Sequence, residues 1–234
     1  LFAKLAKSLG VQNISIIPHI AEGDKDDFLI REDKTPNTAG AALMGIRQNF
    51  GGFSLYQLID GIKNKRIKAV YVMEDDLYSI EGADEKIFSN LELLIVQASN
   101  RNRTTLSADI LFPASTFAEK QGTFVNCDGI VQRIRPAVAT EEMDRALDGM
   151  EMSRWDKFGT KFDRWMQGTK IDSKPSWKIL AQIGEQMGIK AKYDMAENVF
   201  AEISSSVKEF AGMDYDTIGG NGAKINSEKK SVKV

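Results

Sequence analysis

The sequence contains very few of the residues that bind metals or form disulfides. Its 234 residues include one cysteine, Cys127, and one histidine, His19. A single cysteine excludes an internal disulfide, and it excludes an iron–sulfur cluster held by this chain alone, since a cluster needs about four cysteines. The usual zinc ligand sets are excluded for the same reason. A catalytic Cys127–His19 pair is formally possible, but no third group that would orient the histidine is indicated.

Other absences exclude further classes of protein. No apolar run approaches the ~20 residues that a membrane-spanning helix needs. No glycine motif of the GxGxxG or GxxxxGK[ST] type follows a predicted strand, so the usual nucleotide loops are absent. The net charge of −2 gives no global signature of nucleic-acid binding.

Strand-sized apolar runs alternate with helical patterns in the first half of the chain. The clearest runs cover residues 67–73, 91–97 and 108–112, and residues 54–64 carry leucine and isoleucine at helical spacing. Continuous apolar runs are typical of parallel strands covered on both faces. The sequence therefore predicts an α/β fold: a Rossmann-like parallel sheet flanked by helices, with a β-hairpin and a helical C-terminal appendix.

The hairpin is predicted around Asp128-Gly129, which separates the β-prone runs 123–127 and 130–134. Such a dipeptide favours a two-residue type I′ turn. Arg133 and Arg135 alternate with apolar residues in the second run, and they form either an exposed face of the hairpin or an inter-subunit salt bridge. The other predicted elements are helices over residues 1–10, 39–48, 83–90, 175–188 and 197–210, and short strands over 13–17 and 28–30.

The domain organisation follows from changes in composition. Residues 1–138 are predicted to form the α/β domain and residues 173–222 to complete it with helices. Residues 139–172 are charged and rich in Trp and Met, which predicts an insertion that faces a partner or, equally, closes over the chain's own core. Residues 223–234 are predicted to be a disordered tail. The chain begins with Leu1 inside a helical pattern, so we expect it to be a piece of a longer protein.

Several short motifs, in order, carry a resemblance to a known family. They are PNTAGA (36–41), the strand 67–73, ADILFPA (108–114), FAEK (117–120), GTFVN (122–126), VQR (131–133), PSWKIL (175–180) and MG (187–188). Together they resemble the C-terminal part of the large molybdopterin oxidoreductases over about residues 28–222. Within this family the pattern is most similar to the branch represented by the G subunit of NADH-quinone oxidoreductase, respiratory complex I.

The resemblance implies where a cofactor would lie. Molybdenum-containing members hold a pterin guanine dinucleotide at the carboxyl ends of the parallel strands. The candidate cofactor-binding positions, as a vestigial cleft, are Ser99, Asn100, Arg101, Arg103, Glu119 and Asn126. Residues 74–76 are three acids where the family typically has a glycine close to the start, and they would repel a diphosphate. The sequence therefore predicts that this chain carries no cofactor and that molybdopterin is unlikely; no catalytic residue or metal ligand is assigned.

The complex I resemblance also implies a role. The chain would be a scaffold segment that supports electron transfer from NADH to quinone without redox centres of its own, with iron–sulfur clusters in an N-terminal part outside this sequence. Its partners would be the other subunits of the peripheral arm, on the cytoplasmic face of the inner membrane, with no nucleic acid and no membrane insertion. The alternatives are a pterin-dinucleotide-binding domain of a molybdenum oxidoreductase such as a formate dehydrogenase, and a non-redox binding module.

Overall fold

The computed structural model describes residues 1–46, 54–138 and 173–226. The chain divides into two compact units that interleave along the sequence. One unit, here called the hairpin unit, comprises Leu1–Leu58, Gly122–Ile134 and Met195–Val234; the other, the sheet unit, comprises Ile59–Gln121 and Arg135–Asp194. The predicted organisation, an α/β domain over residues 1–138 completed by residues 173–222, stays a prediction. The predicted insertion, residues 139–172, lies outside the described residues.

The sheet unit contains a three-stranded parallel sheet. Its strands are β1 (Ala69–Met73), β2 (Leu93–Ala98) and β3 (Ile110–Pro113), in the order β1-β2-β3 with β2 at the centre. Val72 pairs with Val96, and Val96 pairs with Leu111. The parallel sheet is as predicted, because near-continuous apolar runs suit strands with both faces covered.

Helices and a 3-10 turn also belong to the described part of the sheet unit. They are α3 (Leu55–Lys63, which begins in the hairpin unit), the 3-10 turn Leu77–Ser79, α4 (Glu85–Phe88), α5 (Arg103–Leu106) and α6 (Ser176–Gln186). Ile62 of α3 and Val96 of β2 are fully buried, and α6 buries Ile179 and Leu180. Burial of such side chains stabilises the unit by roughly 1.5–3 kcal/mol each.

The hairpin unit combines a small antiparallel sheet with helices. Its elements are α1 (Phe2–Ser8), α2 (Thr38–Leu43), β4 (Gly122–Val125), β5 (Ile130–Ile134), α7 (Ala196–Ser206), the 3-10 turn Lys208–Phe210, α8 (Tyr215–Ile218) and β6 (Ala223–Lys224). The strand order is β4-β5-β6. Its core packs Val125 and Val131 of the sheet with Phe200, Phe210 and Tyr215 from the helical part. The mixed α/β fold class is therefore confirmed in both units.

The hairpin forms as predicted, but its turn type is different. The Gly129 N–H donates to the Asn126 carbonyl (3.0 Å), and the Asn126 N–H donates to the Ile130 carbonyl (3.0 Å). Gly129 has a φ of 73°, whereas Asp128 has no positive φ. This is a three-residue loop that ends in a left-handed glycine, rather than a type I′ turn with two left-handed residues. The Asn126 side chain explains the preference, because its Oδ1 accepts the N–H groups of Asp128 (3.0 Å) and Ile130 (2.9 Å).

Two predicted strands do not form, whereas the first residues of the predicted disordered tail form a strand. Residues 28–30 are exposed and bent, because the Asp26 carboxylate accepts all three of their N–H groups and leaves no donor for a ladder. Residues 13–17 have no strand partner and end at Pro18. Ala223–Lys224, predicted as the start of a disordered tail, pairs with β5; residues 227–234 lie outside the described residues.

Candidate functional site

The candidate site is the edge of the sheet unit where β1, β2 and β3 end. Each strand is followed there by a polar loop: residues 74–76 after β1, residues 99–102 after β2 and residues 114–119 after β3. The carboxyl ends of parallel strands meet at one edge, which is where open α/β sheets bind ligands. The chemistry of the site depends on which polar groups in these loops are already bonded.

The first loop begins with Glu74 in an unfavourable backbone conformation. Its φ is 60°, in the left-handed region that favours glycine. Its Oε1 accepts a hydrogen bond from Ser176 Oγ (2.7 Å) and lies 3.5 Å from Lys120 Nζ. The Glu74 and Lys120 side chains are only 24% and 20% exposed. The charge of Glu74 is therefore balanced within the site and does not face a ligand alone.

The second carboxylate of this loop, Asp76, is bonded even more completely. Its Oδ1 accepts the Tyr78 N–H (3.1 Å), the Thr104 N–H (3.3 Å) and the Thr104 hydroxyl (2.5 Å). The same Thr104 Oγ1 accepts the Leu77 N–H at 2.7 Å, and Thr104 is fully buried. This network fixes the loop after β1 to the start of α5, and it engages Asp76 Oδ1 with donors of the chain itself.

The loop after the central strand β2 has the opposite character. Ser99, Asn100 and Arg101 make no hydrogen bond or ion pair with another described residue, from either the backbone or the side chain. Asn100 and Arg101 are exposed and Ser99 is half-buried. The loop is held at its far end by Asn102, whose Oδ1 accepts the Thr105 N–H (2.8 Å). It therefore presents hydroxyl, amide, guanidinium and backbone N–H donors that lack an acceptor.

The other three predicted site residues already have local partners. The Arg103 guanidinium lies 4.1 Å from the Tyr78 ring centre. The buried Glu119 carboxylate accepts the Thr116 N–H (2.9 Å) and hydroxyl (3.1 Å). Asn126 belongs to the hairpin unit, where its side chain closes the turn. The structure thus brings Ser99, Asn100 and Arg101 together in one free loop, while Arg103, Glu119 and Asn126 maintain local structure.

Sequence reasoning missed Gln97, a fully buried polar residue near the end of β2. Its Oε1 accepts a hydrogen bond from the Tyr71 hydroxyl (2.8 Å), while its Nε2 has no partner in the described part of the chain. Trp177 Nε1, next to Ser176, is a second buried donor without an acceptor there. The sequence could have indicated Gln97 by its amide side chain in an otherwise apolar strand, since a buried amide normally has a specific partner.

Burial raises the pKa of Tyr71 to about 12, above the ordinary value of about 10. Because the folded state then holds the phenolic proton more tightly than the unfolded state, this contribution to stability is complete below about pH 10 and is lost as pH rises towards about 12. Burial also raises the pKa of Tyr215, so absorbance titration is expected to show more than one late tyrosine ionisation, of which Tyr71→Phe loses one. If Tyr71→Phe removes an ionisation near pH 10 instead, or leaves the number of late ionisations unchanged, the assignment is wrong.

The described residues contain no group of three or more His, Cys, Asp or Glu side chains arranged to hold a metal ion. Cys127 is free and exposed at the hairpin turn. In the described ranges, no helix is long and apolar enough to cross a membrane.

Comparison with known families gives the strongest assignment. The profile of the molybdopterin oxidoreductase family matches residues 3–146, more than half of the chain. The chain belongs to the molybdopterin oxidoreductase family. Two F420-dependent formate dehydrogenase alpha subunits of Methanococcus maripaludis are each 28% identical to it over 68% of the chain. Formate dehydrogenase H of Escherichia coli is 24% identical over 72% of the chain. The chain spans about 20% of the length of each of these relatives.

Family membership confirms the predicted resemblance at its coarser level. The relatives named above are formate dehydrogenases, so the comparison favours the formate dehydrogenase alternative over the predicted G subunit of complex I. The prediction that molybdopterin is unlikely is at odds with a molybdopterin family match. Its physical basis is also weakened, because the carboxylates of Glu74 and Asp76 are already bonded within the site.

Proposed function

We propose that this chain is a pterin-guanine-dinucleotide-binding domain of a molybdenum oxidoreductase of the formate dehydrogenase type. The observation that carries the proposal is the 99–101 loop, whose donors have no partner among the described residues and lie at the carboxyl end of the central parallel strand. The substrate of the whole protein would then be formate, by analogy with the relatives.

The residues of the site suit a diphosphate ester. Ser99 offers a hydroxyl, Asn100 an amide and Arg101 a guanidinium, and a guanidinium fork matches phosphate oxygens with two parallel hydrogen bonds. Backbone N–H groups of the same loop add further donors. When bound, the molybdenum of such a cofactor supplies two-electron redox chemistry, and this chain's residues bind and orient the nucleotide part.

The acidic loop is compatible with this assignment. Lys120 and Ser176 bond Glu74, and Thr104 bonds Asp76. The acids of these loops, residues 74–76 and Glu119, are accompanied by Arg101, Arg103 and Lys120 of the same unit. A diphosphate at the 99–101 loop therefore meets cationic groups as well as carboxylates.

Guanosine diphosphate is the probe for this proposal, because it presents the guanine and the diphosphate without the redox part. Calorimetric titration of the purified chain is expected to show saturable binding. Arg101→Ala should weaken that binding about tenfold, since one phosphate contact worth ~1.4 kcal/mol is lost. Arg135→Ala is the matched control, as it removes the same charge from another exposed arginine of the sheet unit. No saturable binding, or equal weakening in both variants, would contradict the proposal.

A cofactor-free scaffold role, as in the G subunit of complex I, is the second candidate. Glu74 favours it, because a glutamate held at a φ of 60° and bonded to Ser176 and Lys120 occupies the place where the family typically has a glycine. Its partners would be other subunits of the peripheral arm at the cytoplasmic face of the membrane. This candidate predicts that guanosine diphosphate does not bind to the chain, and that Glu74→Gly does not create binding.

A further inference from the structure

Arg133 is a half-buried cation of the hairpin unit. It lies on β5 directly opposite Thr123 of β4. Its guanidinium carbon is 4.2 Å from the centre of the Tyr215 ring, while its buried Nε has no hydrogen-bond acceptor in the described part of the chain. No carboxylate among the described residues lies within 4.0 Å to form an ion pair with it. A guanidinium carries a positive charge and five N–H donors and has no acceptor, so its favoured partner is an anion.

Two hydroxyl groups lie beside this guanidinium. Thr123 Oγ1 and Tyr215 Oη are 3.1 Å apart and share one hydrogen bond. Each hydroxyl carries one hydrogen, so whichever group accepts this bond still has its own hydrogen to donate. Thr123 faces Arg133 in the strand register, and Tyr215 lies under the guanidinium. The free hydroxyl hydrogen and the guanidinium therefore belong to one cluster of donors.

The cluster is held rigidly by aromatic packing. Tyr215 is 5% exposed and stacks on Phe200 with ring centres 5.5 Å apart. Asp214 caps the start of α8 by accepting the Thr217 N–H (2.7 Å), so its carboxylate is engaged. Glu197 is the acid whose charge reaches Tyr215, although it makes no ion pair with Arg133. The arrangement is thus a preformed cationic donor site with one acid at its margin.

We infer that Arg133, Thr123 and Tyr215 form a binding site for a small oxyanion. The guanidinium fork supplies paired charge-assisted hydrogen bonds, and the free hydroxyl hydrogen supplies a further donor. Phosphate and carboxylate share this chemistry. The site lies within the hairpin unit and uses none of the residues of the 99–101 loop, so it does not depend on the proposed cofactor.

The test follows the Nε–H signal of Arg133 by NMR of the full 234-residue chain labelled with nitrogen-15. Inorganic phosphate and acetate are titrated separately at constant ionic strength set with chloride. A saturable shift with phosphate alone identifies a phosphate site, and a shift with acetate identifies a carboxylate site; either supports the inference. No shift with either anion, or the same shift with chloride alone, overturns it.

Three variants sharpen the experiment. Arg133→Lys keeps the charge but removes the planar fork together with the Nε–H, so its binding is followed by the backbone amide signal of residue 133 and is expected to weaken about tenfold. Arg135→Lys, followed by the Arg133 Nε–H signal, is expected to leave affinity unchanged. Glu197→Gln should tighten binding about twofold, because it removes the neighbouring negative charge. If Glu197→Gln instead moves the Arg133 signal as far as saturating anion does, before any anion is added, Glu197 fills the site and the inference is wrong.

Discussion

Phe200→Ala is expected to lower the free energy of unfolding by about 4 kcal/mol. Phe200 is 2% exposed in the core of the hairpin unit. Its ring stacks on Tyr215 and packs edge-on against Phe210, with the two phenylalanine ring centres 6.0 Å apart. Removing its ring loses the transfer free energy of a large side chain, and it leaves a cavity lined by two other aromatic rings. Both losses act in the same direction because the surrounding residues relax only partly.

The matched control for this substitution is Phe28→Ala. Phe28 belongs to the same unit but is 84% exposed, so its loss should change stability by less than about 0.5 kcal/mol. Urea unfolding followed by circular dichroism measures both variants. Equal midpoints for the two variants would mean that the aromatic core does not stabilise the hairpin unit as the structure indicates.

Gly222→Ala is expected to lower the free energy of unfolding by about 3 kcal/mol. Gly222 has a φ of 84°, and a Cβ there would lie 2.6 Å from Ile130 Cγ2 and 2.7 Å from the Val131 carbonyl oxygen. A left-handed alanine costs roughly 1–2 kcal/mol, and overpacking against backbone adds a similar amount. The substitution acts just before β6, so we expect the pairing of β6 with β5 to be lost first.

Gly220→Ala separates this effect from the general consequence of replacing a glycine. Gly220 has no left-handed φ and its Cβ would meet nothing within 4 Å. Alanine at such a position leaves stability unchanged or raises it by up to about 1 kcal/mol. Thermal unfolding of the two variants compares them directly, and a similar loss in both would contradict the geometric argument.

The parallel sheet was predictable because its signal is local. The predicted runs 67–73, 91–97 and 108–112 each overlap an observed strand, with ends that differ by at most two residues. A buried strand is indicated by the apolar residues of its own segment. The strand predicted for residues 28–30 from its apolar residues was wrong. Their N–H groups donate to the Asp26 side chain and not to a neighbouring strand.

The state of the candidate site was not predictable from the sequence in the same way. The position of the 99–101 loop followed from its place after a strand. The charge of the 74–76 loop did not, because Ser176, which bonds Glu74, lies 102 residues further along the chain. Likewise, the alternation of Arg133 with apolar residues indicated a surface face, whereas the structure stacks it on Tyr215. Partners distant in sequence decide which polar groups remain free.

The interleaving of the two units has a consequence for synthesis on the ribosome. Asn37 bonds the Val125 backbone across 88 residues, and Thr123 bonds Tyr215 across 92 residues. A nascent chain that has emerged only as far as the hairpin therefore lacks both β6 and the aromatic residues of the helical part. Its β5 edge is then open to pairing with other chains. We expect the hairpin unit to fold only after residues 195–224 have left the ribosome, with chaperones shielding the hairpin until then.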